Sequence, residues 1–242
     1  MKLQGKNREI IAWSMYDFAN QPFTTLIVTF IFGKYFVEVL AENEITGTSL
    51  WSLGITITAL FVSSLSPILG AIADSGGYRK VFLIISTYIC ILATIGLYFI
   101  EPGQSFLIWN HNIHVSIVAL AVFIIANIGF EFGTVFCNSY LLDLSNSSNI
   151  GKISGYAWGL GFIGGLLALF LSLFLFDINN PDEIRKINIL IGVWFLLFSI
   201  PTFLFLKKRK KEKLNKHHIS SSFKSIKGTF KSISSYRKIY RF

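Results

Sequence analysis

Trp13-Ser-Met-Tyr-Asp-Phe-Ala-Asn-Gln-Pro-Phe23 opens the first long apolar segment of the chain, yet it carries Asp17, Asn20, Gln21 and Pro22. An Asp at the centre of a membrane helix costs about 2.5 kcal/mol or more. Asp17, Asn20, Gln21 and Thr24 are spaced i, i+3, i+4 and i+7, so one helical face collects them. Pro22 has no N–H, so the carbonyl of Phe18 loses its helical donor and a kink or local unwinding is expected beside Asp17. Irregular backbone at membrane depth persists where it lines protein or a water-filled cavity. A second reading stays open, in which Asp17 is an interfacial cap that remains hydrated.

Outward from this stretch the chain is apolar. Its 242 residues are 52% hydrophobic and only 14% charged, against roughly 25% charged in a soluble domain. Six runs are long enough to cross a bilayer as helices: 11–36, 50–73, 81–100, 115–141, 154–176 and 187–206. The connections are short and polar, so the expected fold is an all-α integral membrane bundle over 1–206. The net charge of +9 is concentrated in a tail, because thirteen of the 22 Lys and Arg follow Leu206. With the N-terminus inside, nineteen basic residues fall on the inner side and three on the outer side. Both termini are therefore expected on the cytoplasmic side. Within the tail, 207–242, the apolar residues Ile219, Phe223, Ile226, Phe230 and Ile233 recur at helical spacing among lysines. This reads as a basic amphipathic helix on an anionic leaflet, or as a disordered Ser/Lys linker. Cys90 and Cys137 lie inside apolar runs and read as small hydrophobes.

The fourth run repeats the pattern of the first. Asn127, Glu131, Thr134 and Asn138 fall within a narrow arc. Glu131 is the only charged residue between Glu101 and Asp143, histidines counted as neutral. By helix rise, Asp17 and Glu131 lie roughly 9 and 13 Å from the inner boundary, so they are expected to share a layer. Two carboxyl groups away from water and near one another point to a proton site or an amine-binding site. The alternative is a neutral Glu131 hydrogen-bonded to a neighbouring helix. In the fifth run Gly151, Gly155 and Gly159 are four apart, as are Gly161 and Gly165, a small-xxx-small pattern expected to pack helices closely.

Soluble catalytic sets are missing from the sequence. The four histidines, His111, His114, His217 and His218, have no ligand cluster around them, so neither a metal nor another cofactor is expected. Gly159-Leu-Gly161 follows no strand and is no nucleotide fingerprint. Tyr16-Asp17 resembles half of an intramembrane aspartyl protease, but the second Asp of that dyad is missing where Phe162 stands, which leaves a hydrolase as a weak third reading. No nucleic-acid partner is indicated.

Gly70-Ala-Ile-Ala-Asp74-Ser-Gly-Gly77-Tyr-Arg79-Lys80 resembles the cytoplasmic signature of the major facilitator superfamily, Gly-x-Leu-Ala-Asp-Arg-x-Gly-Arg-Arg/Lys. Asp74 and Gly77 match in place, Ser75 replaces the usual basic residue, and Arg79-Lys80 stand one position late. The resemblance implies a gating latch made by Asp74, Gly77, Arg79 and Lys80. Tyr16 to Phe23, Ala126-Asn-Ile-Gly-Phe-Glu131 with Asn138, and Gly151-Lys-Ile-Ser-Gly155-Tyr-Ala-Trp-Gly-Leu-Gly161 are similar to the vacuole effluxer-like (autophagy-related permease) branch. That resemblance implies a proton- or gradient-coupled carrier, with amino-acid efflux from the vacuole associated with fungal members. A substrate or proton site at Asp17, Asn20, Gln21, Asn127, Glu131 and Asn138 is expected. Such carriers have twelve helices in two halves. The chain is therefore expected to be an N-terminal six-helix half: a fragment, a truncated product or one chain of a split carrier, needing a second half. A plasma membrane is the expected location, or a vacuolar one if the source is a fungus. The competing class is a membrane scaffold that transports nothing.

Overall fold

The computed structural model describes residues 2–108 and 111–207. The tail 208–242, with its expected amphipathic helix, and the side chain of Asp74 lie outside the described residues. Among the described residues are six helices long and apolar enough to cross a membrane: Lys6–Leu40, Glu44–Ala73, Arg79–Phe99, Val115–Leu144, Ile150–Leu175 and Pro181–Phe205.

The first span is the irregular one. Helix α1, Lys2–Pro22, runs into a π-helical stretch, Phe23–Phe30, then a short α2, Phe32–Tyr35, and a second π-helical turn, Phe36–Leu40. The change of winding begins immediately after Pro22, where a backbone donor is lost. The hydroxyls of Thr24 and Thr25 then donate to the Gln21 carbonyl at 3.1 and 3.0 Å. Ile31 N–H donates to Leu26 O at 2.9 Å, closing the wider turn.

The other spans are α3, Glu44–Gly76; α4, Arg79–Gly96; α5, Val115–Asn138; α7, Ile150–Leu175; and α8, Pro181–Phe205. A one-turn α6, Leu141–Leu144, follows α5. Two of them start six residues earlier than the apolar runs suggest, because capping residues extend them into polar sequence. Asn43 accepts from Thr46 N–H at 2.9 Å ahead of α3. Asn180 accepts from Asp182 N–H at 3.0 Å, with Pro181 starting the first turn of α8 and Asp182 and Glu183 lying within it. At the other end of α3 the chain turns at Gly77, φ 67°, and Tyr78 N–H donates to Ala73 O at 2.9 Å. A left-handed residue after a helix end favours glycine, which accounts for Gly77 in the signature loop.

The segment between α4 and α5, expected as a plain loop, holds a hairpin. Strand β1, Ser105–Ile108, pairs antiparallel with β2, His111–His114, in the register Ser105 to His114 and Phe106 to Ile113. Two residues separate the strands, a spacing that suits a hairpin.

The helices pack in the order α7, α1, α8, α4, α5, α3. Rings fill the interior: Tyr16 is fully buried and its hydroxyl hydrogen-bonds Thr87 Oγ1 at 2.8 Å, and Trp51 stacks on Phe123 at 4.0 Å. The two outermost helices of this row, α3 and α7, are the least covered, with 11% and 28% of their apolar windows buried. Their free faces, not the interior, are left for lipid or another protein.

Candidate functional site

The polar face of α1 does not turn into the ring-filled core. Asp17, Asn20 and Gln21 line a recess of about 260 Å³ between α1, α5 and α7. From α5 it receives Phe130, Thr134 and Asn138, and from α7 Ser154 and Trp158. Trp13 completes the wall, held by a hydrogen bond from Nε1 to the Cys137 carbonyl at 2.8 Å. Gln21 is shared with a second recess of about 360 Å³, which continues along Thr24, Thr25 and Thr29 against α7. One helix face therefore forms a polar track from Asp17 to Thr29. Among the described residues no hydrogen bond or ion pair reaches Asp17 or Asn20, although Asn20 is only 4% exposed. Thr134 Oγ1 is likewise buried and unpartnered.

Glycines set how close α7 comes to this face. A Cβ at Gly161 would meet Asp17 Cβ at 3.1 Å and Asp17 O at 3.2 Å. One at Gly164 would meet Phe18 O at 2.5 Å, and one at Gly165 would meet Gln21 Cγ at 3.1 Å. The other glycine series behaves differently. Gly151, Gly155 and Gly159 have nothing within 4 Å of a Cβ position, so within the described residues they pack no helix. Helical rotation puts Gly155 and Gly159 on the free face of α7, away from α1.

The broken turn at Pro22 finds its missing donor on another helix. Trp194 Nε1 donates to Phe18 O at 3.2 Å, and its ring stacks on Phe18 with centroids 5.3 Å apart. Trp194→Phe keeps the ring contact and removes the donor. It should cost about 1 kcal/mol, the usual net worth of one hydrogen bond, since this one is only part-buried. Thermal unfolding of the purified protein in nanodiscs measures this, and an unchanged midpoint would show the bond to be immaterial.

Glu131 and Asn127 belong to the same α5 stripe but do not line the Asp17 recess. Asn127 is buried and Glu131 half-buried, and among the described residues neither has a hydrogen bond or ion pair. The two carboxylates are not brought into one recess, since Glu131 is absent from the wall that holds Asp17. Thr134 and Asn138, not Glu131, are the α5 residues that share the recess with Asp17.

At the end of the bundle where Lys207 pairs with Glu9, Arg79 is 6% exposed and donates to Asp143 Oδ2 at 2.9 Å and to Ser139 O at 3.1 Å. It ties the start of α4 to the end of α5. Lys80 Nζ donates to Leu206 O at 2.6 Å, and Lys207 pairs with Glu9. Asp143 was not foreseen as a partner of Arg79, because 64 residues separate the two. At the opposite end Arg185 is also buried. It bridges Glu101 at 2.8 Å and Asp182 at 2.6 Å.

This packing of six spans defines one half of a major facilitator fold. It superposes on the xylose transporter XylE from E. coli in its partially occluded inward-open conformation, with a TM-score of 0.64 at 16% identity, over 98% of this chain and 58% of that one. The protein is thus an integral, multi-pass membrane protein. It belongs to the vacuole effluxer Atg22-like family, whose model matches residues 33–242. An uncharacterized MFS-type transporter of Bacillus subtilis, YxiO, is 26% identical over 96% of this chain and 54% of its own length. Autophagy-related protein 22-1 of Penicillium rubens is 33% identical over 24% of this chain and 10% of its own length. The chain spans about half the length of YxiO and of XylE.

Proposed function

We propose that this chain forms the N-terminal half of a secondary carrier that moves a small solute across the plasma membrane, with both termini in the cytoplasm. The polar track on α1 carries this reading: Asp17, Asn20 and Gln21 open into recesses at membrane depth, where polar side chains are costly unless they serve a pathway. Alternating access needs a second half to rock against, and the free faces of α3 and α7 are where it would dock. Asp17, Asn20, Gln21 and Asn138 would bind solute, and Glu131 with Asn127 would form a separate proton site deeper on α5. Asp74, Gly77, Arg79 and Lys80 would form the inner latch, with Asp143 as a further member. Ion pairs at a helix junction can break and re-form between two conformations.

The test is flux in proteoliposomes from the protein purified with its second half, over a panel of amino acids, amines and sugars under a proton gradient. Movement of at least one solute is expected. Failure of every solute in both directions would reject the carrier reading. In the same assay Glu131→Gln should abolish the dependence of flux on the proton gradient. Unchanged flux and unchanged pH dependence would leave Glu131 with a structural role alone.

A further inference from the structure

We propose that Tyr35, Arg185 and Asn188 hold an internal water at the Arg185 end of the bundle, and that this water ties the far end of the first span to α8. The site goes beyond the carrier reading and does not depend on it, because all three residues are enclosed by this chain alone. Tyr35, Arg185 and Asn188 are 2%, 8% and 1% exposed. Among the described residues Tyr35 Oη, Arg185 Nε and both amide atoms of Asn188 have no hydrogen-bond partner. A buried polar group without a partner costs stability, and native interiors leave few of them.

Arg185 and Asn188 lie three apart on α8, and Ile184 and Asn188 four apart, so one helix face carries all three. Helix α2 packs on α8, and its Tyr35 shares with Ile184 the wall of a recess of about 240 Å³. Tyr35 also lies within reach of the Arg185 charge. The rest of the guanidinium is committed: Nη1 donates to Tyr98 O and Glu101, and Nη2 to Asp182. Of the orphaned groups, Arg185 Nε–H and the Asn188 amide nitrogen donate, Asn188 Oδ1 accepts, and the Tyr35 hydroxyl does either. A water molecule offers both donors and acceptors and makes about 2–4 hydrogen bonds in a buried site. A metal cation would meet the guanidinium, and an anion would meet Glu101 and Asp182. Lys34, Glu38 and Asn179 on the recess wall give water a polar route of entry. With the water bound, Tyr35 is joined through Arg185 to Glu101, beyond the end of α4, as well as to α8.

X-ray radiolysis of the full protein in nanodiscs, read by mass spectrometry, oxidises side chains that touch water. Tyr35 should be oxidised about threefold faster or more than Phe123, which is also fully buried but stacked on Trp51. Asn188→Leu removes the amide and should lower the Tyr35 rate about threefold or more. Tyr35→Phe removes a single oxygen and should lower the thermal midpoint by about 2–4 °C, because a bridging bond is lost. Deleting a dry, unpartnered hydroxyl would instead leave the midpoint unchanged or raise it. Tyr35 oxidised no faster than Phe123, a rate undiminished in Asn188→Leu, or a midpoint not lowered in Tyr35→Phe would each overturn the water site. Should the Leu variant not fold, the wild-type rates and Tyr35→Phe decide the matter. None of these readouts involves flux, so the carrier reading stands or falls separately.

Discussion

Replacing Asp17 by Asn should cut solute flux by at least ~30-fold while leaving the protein as stable as before or more so. Asp17 lines the proposed binding wall, and losing a hydrogen bond to a charged group there costs about 2 kcal/mol, which is that factor in affinity. The stability half of the expectation comes from what Asp17 does not do. Among the described residues it makes no hydrogen bond and no ion pair, so the folded chain loses no contact when the charge goes. It is also relieved of holding that charge away from water. A purely structural Asp would give the opposite pattern, with lower stability and flux reduced only in proportion to folded protein. Paired measurements of flux and thermal midpoint on the same preparation distinguish the two. Undiminished flux would remove Asp17 from the site.

Gly164→Val should be the most damaging single change to the bundle, costing roughly 3 kcal/mol, the upper end for overpacking a close contact. The first added carbon would already lie 2.5 Å from the Phe18 carbonyl oxygen. That oxygen is backbone and already accepts a hydrogen bond from Trp194, so it has little freedom to move. Gly159→Val supplies the control, because nothing lies within 4 Å of a Cβ there. It should change stability by no more than about 0.5 kcal/mol. Equal losses from the two substitutions would show that helix flexibility, not contact with α1, sets the need for glycine.

Six spans and two polar stripes could be read from residue order because both are periodic along one helix. Asp17, Asn20 and Gln21 lie within one and a half turns, and their common face follows from helix geometry alone. What could not be read depends on the partner across the gap. Gly164 is one glycine among several until Phe18 is found opposite it. Gly155 and Gly159 share the spacing of a packing motif yet face away from α1, because rotation about α7 decides which glycines are covered. Asp17 and Glu131 have similar calculated depths, but depth along two helices does not fix lateral separation. Arg79 and Asp143 meet only because α4 and α5 are neighbours. Trp194 is an ordinary apolar residue in α8 until Pro22 leaves a carbonyl for it to cap.

The π-helical run after Pro22 also has a consequence for register. A wider turn accommodates residues that a regular α-helix of the same length would not, and one residue of α-helix corresponds to about 100° of rotation. Phe23–Phe30 therefore works as a phase adjuster between the two ends of the first span. Deleting one residue as the helix regularises would largely preserve this phase, but regularising with every residue kept would swing the Asp17 face by roughly that angle or more relative to Tyr35 and Phe36. Asp17 would then leave Asn138 and turn toward the aromatic interior, with composition and hydropathy nearly unchanged. The angular setting of the site is thus encoded in the count of residues between Pro22 and Ile31 as much as in the polar residues that line it.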